Sequence, residues 1–565
     1  MMKSRYLTRI KLSSAIGKTQ GSARGISTSR TRLAQSISKI APTKFRANPK
    51  LGVSLLFLGG AATTYFVSDS IQLDTKKNEE GITVEEVKAH NSLKNGVWVV
   101  INGEVYDLTE FLATHPGGAR VILKYAGQDA SLIFNKFHAQ DVFKKFLPET
   151  AHLGPLIGEM ELAPDITDLS DDSDRLDRIQ HKPPINKVYN ISDFENIAKE
   201  ILTPNAWAYY SSGSDDEISL RENHYAYQRI FFNPKVLTDV TEIDISTEML
   251  GSKVSAPFYC SAAAQARLGH PEGEVSIAKG CGAENIIQMI SSNASNTFDE
   301  IVDAANADQP QWFQLYVLPD REFSYQMIDK CKKKGIKGIF VTVDTALIGR
   351  REKDLKFRLY DDDEDDDSSS IIKKNDPLLS FKDAGLTWKD IRAFKEATDI
   401  PIVVKGVQRV EDVLLAIENK ADGVVLSNHG GRQLDFSRAP IEVLADVNAV
   451  LKERNLEGKI EIYIDGGIRR GTDILKALCL GAKGVGLGRP FLYANSCYGD
   501  KGVRKAIRLL KEELILDMKL LGVSSLNDLT PELLDMRSLH SRTQYPDSLY
   551  NKGYVPMAPT KFNDD

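Results

Sequence analysis

The sequence predicts an α/β chain: a (β/α)8 TIM barrel preceded by a small α+β module. Three observations predict it. First, eight apolar strand-like runs occur from Ser255 on, each followed by a segment of helical spacing. They are Phe258–Ser261, Ile286–Ile290, Trp312–Val317, Gly338–Asp344, Pro401–Lys405, Gly423–Ser427, Ile460–Asp465 and Gly484–Gly488. Eight β/α repeats close a TIM barrel. Second, residues capable of chemistry fall at the C-terminal ends of these runs: Ala263, Ser291, Gln314, Tyr316, Thr342, Asp344, Lys405, His429, Arg432, Asp465 and Arg489. That end of the barrel is where the fold builds its active site. Third, two short β-rich runs ahead of the barrel, Val97–Ile101 and Glu104–Asp107, flank an Asn102-Gly103 hairpin turn.

At 565 residues the chain holds two or three domains. It is 42% hydrophobic and 27% charged, a globular balance with ample core material. A net charge of −6 argues against nucleic acid as a partner. The five cysteines, Cys260, Cys281, Cys331, Cys479 and Cys497, show no CxxC pair and no metal-ligand spacing, so they read as buried thiols.

Residues 1–75 read as a bipartite mitochondrial presequence. Residues 1–68 hold twelve Lys/Arg and no acid, and the first acid is Asp69. Leu51–Ser68 carry no charge and are close to the length that spans a bilayer. This run is either a stop-transfer signal removed by a second cleavage, releasing soluble protein into the intermembrane space, or a retained anchor. The order basic, apolar, acidic favours the first.

Residues 80–160 form the small module. His115, in His115-Pro116-Gly117-Gly118, precedes His138 by 23 residues. Two neutral imidazoles on loops between short helices suit the two axial positions of one haem iron. Leu123, Ile133, Phe134 and Phe137 are apolar candidates for the pocket wall, and His90 and His152 are expected to face solvent. The HPGG signature and this spacing resemble cytochrome b5, which implies haem b with His115 and His138 on the iron. Residues 161–187 are dense in Asp and Ser, then reach Lys182-Pro183-Pro184, and read as an extended, mobile linker.

In the catalytic domain, residues 188–540, the stretch Ser427-Asn428-His429-Gly430-Gly431-Arg432-Gln433 ends a buried strand. His429 is a candidate base, Arg432 a fork for a planar carboxylate, and the glycines permit a sharp turn. Asp465-Gly466-Gly467-Ile468-Arg469 and Gly488-Arg489-Pro490 combine bare backbone amides with arginine, which suits a phosphate after the last two strands. Ala506–Leu521 carries helical periodicity and is expected to close the barrel.

SNHGGRQLD, DGGIRRGTD, LGRPF, VTVDTALIGRRE and WAYYSSG resemble the FMN-dependent L-2-hydroxy-acid dehydrogenase and oxidase family. The resemblance implies FMN as cofactor and these roles. His429 takes a proton from the substrate, and Asp344 orients it and stabilises its cation. Arg432 and Tyr209 hold the substrate carboxylate, Tyr316 bonds its hydroxyl, and Arg351 supports the site. Lys405 lies by the N1/O2 edge of the flavin. Ser261, Ala263, Ala264, Ser291, Gln314 and Thr342 line the flavin ring; Asp465, Gly467, Arg469, Gly488 and Arg489 hold its ribityl chain and phosphate. With the haem module in front, the chain is similar to the mitochondrial branch of that family that oxidises L-lactate and reduces cytochrome c. In the family, a tail such as residues 541–565 wraps neighbouring subunits, which implies a homotetramer.

Three positions depart from the family pattern. Asn293 and Gln265 stand where the lactate enzymes carry apolar residues, and Ala263 stands where threonine is more usual. They suggest a larger or more polar 2-hydroxy acid, of glycolate or mandelate type, as an alternative substrate. An oxygen-using oxidase is the other alternative. The acidic insert Tyr360–Lys374, between the fourth and fifth repeats, reads as a disordered surface loop or a dock for basic cytochrome c.

Overall fold

The structure is a computed structural model that describes residues 81–115, 118–164, 173–358 and 383–541. The segment read as a presequence, the acidic insert and the tail beyond Ser541 lie outside the described residues. Among the described residues, no helix is long and apolar enough to cross a membrane.

The small module is built on a five-stranded sheet of β1 (Ile82–Thr83), β2 (Asn91–Ser92), β3 (Gly96–Ile101), β4 (Glu104–Asp107) and β5 (His152–Ile157), in the order β1-β5-β4-β3-β2. The β3–β4 hairpin turns at Asn102 and Gly103, with φ of 54° and 84°. Both values are positive, as the predicted two-residue turn requires. Val97, Val99 and Ile101 leave one face of β3 to pack on Ile122, Ile133 and Phe134, with Leu123 and Phe137 at the margin. His90 does not simply face solvent. It stacks on Trp98 with ring centroids 3.6 Å apart, while His152 is exposed and pairs with Glu104 at 2.8 Å.

The expected extended linker is in part a helix, Ser173–Gln180. Its composition disfavours a core, and none of its residues is fully buried. What holds it is docking. Arg175 donates to the Ile201 carbonyl and Arg178 to the Glu200 carbonyl, the unpaired end of the helix Ile191–Ile201. Further on, Lys182 donates to the Cys497 carbonyl at 2.6 Å.

Strands β6 (Phe231–Phe232), β7 (Thr247–Met249) and β8 (Ser252–Val254) precede the barrel. The barrel strands are β9 (Phe258–Cys260), β10 (Gln288–Ser291), β11 (Gln311–Leu315), β12 (Ile339–Thr342), β13 (Ile402–Val407), β14 (Gly423–Leu426), β15 (Glu461–Asp465) and β16 (Gly484–Leu487). All neighbours are parallel, and β16 pairs with β9 to close the ring. Each matches a predicted run within a few residues. Strand β10 begins late because the Ile286 amide still bonds Cys281 at the end of the preceding helix.

The strands are apolar on both faces because both are buried. Tyr259, Met289, Trp312, Phe340, Val403, Val425 and Tyr463 fill one cluster together with Met249 of the β7–β8 hairpin. The residues between them, such as Phe258, Ile290, Phe313, Ile339, Val404, Val424 and Ile464, pack in the large outer cluster with the helices. This is the inside–outside alternation of a barrel strand. The aromatic cluster and the hairpin fill the N-terminal half, which leaves the C-terminal half for polar groups. The final helix, Arg489–Leu521, breaks at Tyr498-Gly499, and its second part buries Ile507, Leu510, Leu514, Met518 and Leu521 as the periodicity predicts. All five cysteines are buried and free.

Candidate active site

The turn after β14 organises the site. His429, Gly430 and Gly431 have φ of 58°, 65° and 76° in succession. A Cβ on Gly431 would lie 2.5 Å from the Leu220 Cα, so only glycine fits there. The left-handed histidine is a strained conformation of the kind stored at functional sites. The His429 amide donates to Ser427 Oγ at 3.0 Å, and the Lys405 Nζ donates to the same oxygen at 3.4 Å.

His429 Nδ1 lies 3.0 Å from Asp344 Oδ1 at the end of β12. A carboxylate accepts, so Nδ1 carries the proton and Nε2 is left with its lone pair. Tyr316 places its hydroxyl 3.4 Å from that Nε2. Burial pushes the Tyr316 phenol well above its usual range, with the Asp344 charge adding to it, so it stays a protonated donor. Gln433 fixes the backbone of the Asp344 turn. Its amide donates to the carbonyls of Asp344 and Leu347 at 2.6 and 2.7 Å.

Facing the imidazole are two guanidiniums on one ring. Arg432 lies 5.0 Å and Arg351 5.6 Å from the centroid of Tyr209. Arg432 donates to the Tyr209 and Ser212 carbonyls at 2.7 and 3.2 Å. Burial, and then the charge of Arg351, pull Arg432 down to about 9. A guanidinium keeps its proton at neutral pH, so Arg432 and Arg351 present two cations at one ring.

Lys405 shows the opposite balance. Burial lowers it, but Asp465 and Asp344 outweigh burial and hold it above its ordinary value. Its Nζ is 3.5 Å from Asp465 Oδ2. Ser291, Gln314 and Thr342 form a chain across β10, β11 and β12: Ser291 Oγ donates to Gln314 Oε1 at 3.3 Å, and Gln314 Nε2 to Thr342 Oγ1 at 2.9 Å. Ser261 Oγ and Asp465 Oδ1 are buried with no hydrogen-bond partner among the described residues. Beside them a Cβ on Gly488 would meet nothing within 4 Å. Buried polar atoms without partners beside open space fit a polar ring and its chain, and so these residues fit a flavin.

The two arginines expected at the phosphate are engaged elsewhere. Arg469 holds Glu195 through both terminal nitrogens, one at 3.2 Å. Arg489 donates to the carbonyls of Tyr210, Ser212 and Gly430 at 2.8 to 2.9 Å. Ala263 and Ala264 are half-buried at the mouth. Asn293 is exposed, and its amide donates to Ser291 Oγ at 3.2 Å. Gln265 is left-handed at φ 60°, and its carbonyl accepts from Tyr210.

In the small module, the rings of His115 and His138 lie 6.1 Å apart. Two imidazoles bound to one ion through nitrogens at about 2 Å put their centroids roughly 6 Å apart. His115 Nδ1 is 3.0 Å from the Gly118 carbonyl, which leaves Nε2 outside that bond and able to face an iron. Burial, with the charge of His115 adding to it, lowers His138 to about 3, so it stays neutral. Metal ligation needs a neutral ring, and the pair fits a haem iron.

Residues 198–536 match the FMN-dependent dehydrogenase family. The chain belongs to that family. Residues 83–157 of this FMN-dependent dehydrogenase match the cytochrome b5-like heme/steroid binding domain. Its cofactors are therefore FMN in the barrel and haem in the small module. The chain is 56% identical over 488 residues to an L-lactate dehydrogenase (cytochrome) of Wickerhamomyces anomalus, covering 85% of each chain. It is 48% identical over 538 residues to that of Saccharomyces cerevisiae, covering 91% of this chain and 90% of the relative. Among solved structures, a double mutant of flavocytochrome b2 with pyruvate bound matches with a TM-score of 0.63 and 52% identity, covering 69% of this chain and 98% of the other.

Gln433, Ser427 and Glu195 were not among the predicted site residues. Gln433 and Ser427 lie inside the SNHGGRQ run and were legible there as turn polars. Glu195 lies 274 positions from Arg469, and nothing local marks it.

Proposed function

We propose that this enzyme oxidises L-lactate to pyruvate and passes the electrons one at a time through its own haem to cytochrome c. The observation that supports it most is the His429–Asp344 dyad set against Arg432 and Arg351 in a chain whose haem module matches along with its barrel. Arg432 and Tyr209 bind the substrate carboxylate. Tyr316 donates to its hydroxyl. His429 Nε2 takes the proton, and Asp344 stabilises the resulting imidazolium. Each lactate gives up two electrons and two protons, one proton to His429 and the other with the electron pair to the FMN that the barrel would hold. FMN supplies a two-electron acceptor that also delivers single electrons, and Lys405 offers it a cation where negative charge gathers. Asp465, Gly467, Arg469, Gly488 and Arg489 are its ribityl and phosphate partners, with Arg469 exchanging Glu195 for the phosphate. His115 and His138 would hold the haem iron between them, and a haem held by two histidines supplies electron transfer.

The relatives matched along both modules carry the lactate name, so the larger or more polar acid drawn from Asn293 and Gln265 is not favoured. Neither is the oxidase alternative. The basic leader supports a place in the mitochondrial intermembrane space, and the tail a homotetramer.

The test is an anaerobic visible spectrum before and after L-lactate. Flavin bleaching followed by sharpened reduced-haem bands is the expected result. A haem that dithionite reduces and lactate does not would refute lactate as the substrate.

A further inference from the structure

We infer that Arg267 is a positioning residue that seats the haem module on the mouth of the barrel, with the buried Glu274 carboxylate as its anchor. The inference rests on the reading that electrons pass from the flavin site to the haem.

Arg267 lies in the short turn Ala266–Leu268, just past Ala263 and Ala264 at the end of β9. Its Nη1 donates across the seam to the carbonyl of Asn135 at 3.3 Å. Asn135 is in the last turn of the helix Ser131–Phe137, and the next residue after that helix is His138. The final carbonyls of a helix lack partners within it. The Phe134 carbonyl takes the His138 amide at 2.8 Å, and the Asn135 carbonyl takes Arg267. A cation there also complements the negative end of the helix dipole. The guanidinium thus completes the helix end that carries a haem ligand.

The barrel side of this contact is rigid for a stated reason. The Arg267 amide donates to Ser295 Oγ at 3.0 Å, and Ser295 Oγ donates to Glu274 Oε2 at 2.6 Å. Glu274 also accepts the amides of Ala266, Ser295 and Asn296 at 3.0 to 3.2 Å, and is 2% exposed. Charge-assisted bonds of this kind are strong in a dry interior. One carboxylate therefore clamps the loops after β9 and β10 together and fixes the base of Arg267. Glu300 Oε1 lies 3.8 Å from the other terminal nitrogen, Nη2. Elsewhere along the seam, Asp141 and Phe146 share the lining of a cavity with Asn293, Phe298 and Tyr316. The Arg267–Asn135 bond is a direct polar tie beside that gap. Electron transfer slows steeply with separation, so a lost strut shows as a slower haem and an unchanged flavin.

The experiment uses the full-length holoenzyme with Arg267→Ala and Arg267→Lys, after confirming equal FMN and haem content. Rapid anaerobic mixing with L-lactate follows flavin bleaching and haem reduction separately. Flash reduction without substrate follows electron equilibration between the cofactors, so it is independent of the substrate assignment. In Arg267→Ala, flavin bleaching should stay within about twofold of wild type, and both haem reduction and equilibration should slow tenfold or more. The Lys variant should recover part of the loss, because it keeps the charge and not the fork. Haem rates equal to wild type would overturn the proposal, as would bleaching that slows in the same proportion. A wild-type flavin that lactate does not bleach, with equilibration slowed in Arg267→Ala, would refute the substrate and keep the strut.

Discussion

His429 owes its tautomer to Asp344 and its position to three consecutive positive φ angles. Its Nε2 is the one ring nitrogen aimed at the substrate side, beside Tyr316. His429→Gln keeps the size and loses the base. Flavin bleaching by lactate should fall by about 10²–10⁴-fold, measured by rapid mixing, with FMN content unchanged. Arg432 shares the Tyr209 ring with a second cation, Arg351. Arg432→Lys keeps the charge and loses the planar fork, and should cost about 1.5–3 kcal/mol of transition-state binding. That appears as a drop of roughly 10–150-fold in kcat/KM for lactate.

Among the elements, the turn after β15 has no room for a side chain. Gly467 has φ 81°, and a Cβ there would lie 2.1 Å from the Asn223 carbonyl oxygen. Gly467→Ala should lower the thermal midpoint, because the turn packs on Asn223, and on the proposed flavin-holding role of Gly467 it should weaken FMN retention as well, read by melting and by flavin release. The long C-terminal helix carries a different vulnerability. Burial, and then Glu513 one turn back, raise Asp517 to about 6. Its folded value is above the unfolded one of about 3.9. The native state therefore binds the proton more tightly, and stability is lost as pH rises from about 4 through 6. Asp517→Asn should raise the thermal midpoint at about pH 8 and leave it unchanged below about pH 4. A uniform shift at both pH values would point to packing instead.

For the whole molecule, the two modules have separable tasks. His138→Ala removes one of the paired rings that sit 6.1 Å apart. Lactate should still bleach the flavin and still reduce ferricyanide, while the bis-histidine haem spectrum and cytochrome c reduction are lost. Retained cytochrome c reduction would mean that electrons leave directly from the flavin. The linker helix Ser173–Gln180 bears on the same division of labour. It is docked on the catalytic domain through Arg175 and Arg178.

The barrel was legible because its strands are buried on both faces, and continuous apolar runs ending in polar residues need no tertiary information to be read. The Asn102-Gly103 hairpin, the HPGG histidine and the SNHGGR turn were legible for the same local reason: each demands a backbone or a chemistry that few residue types supply. The linker was misread in part because its helix is held by carbonyls at the end of another helix, and composition says nothing of that. The pairing of Arg469 with Glu195, the sharing of the Tyr209 ring by Arg351 and Arg432, and the reach of Arg267 to Asn135 join residues far apart in the chain. The sequence by itself determined which groups are available and which strand ends present them. Tertiary structure alone decided their partners, because a charge finds its lowest energy against whatever the fold places within about 3 Å of it.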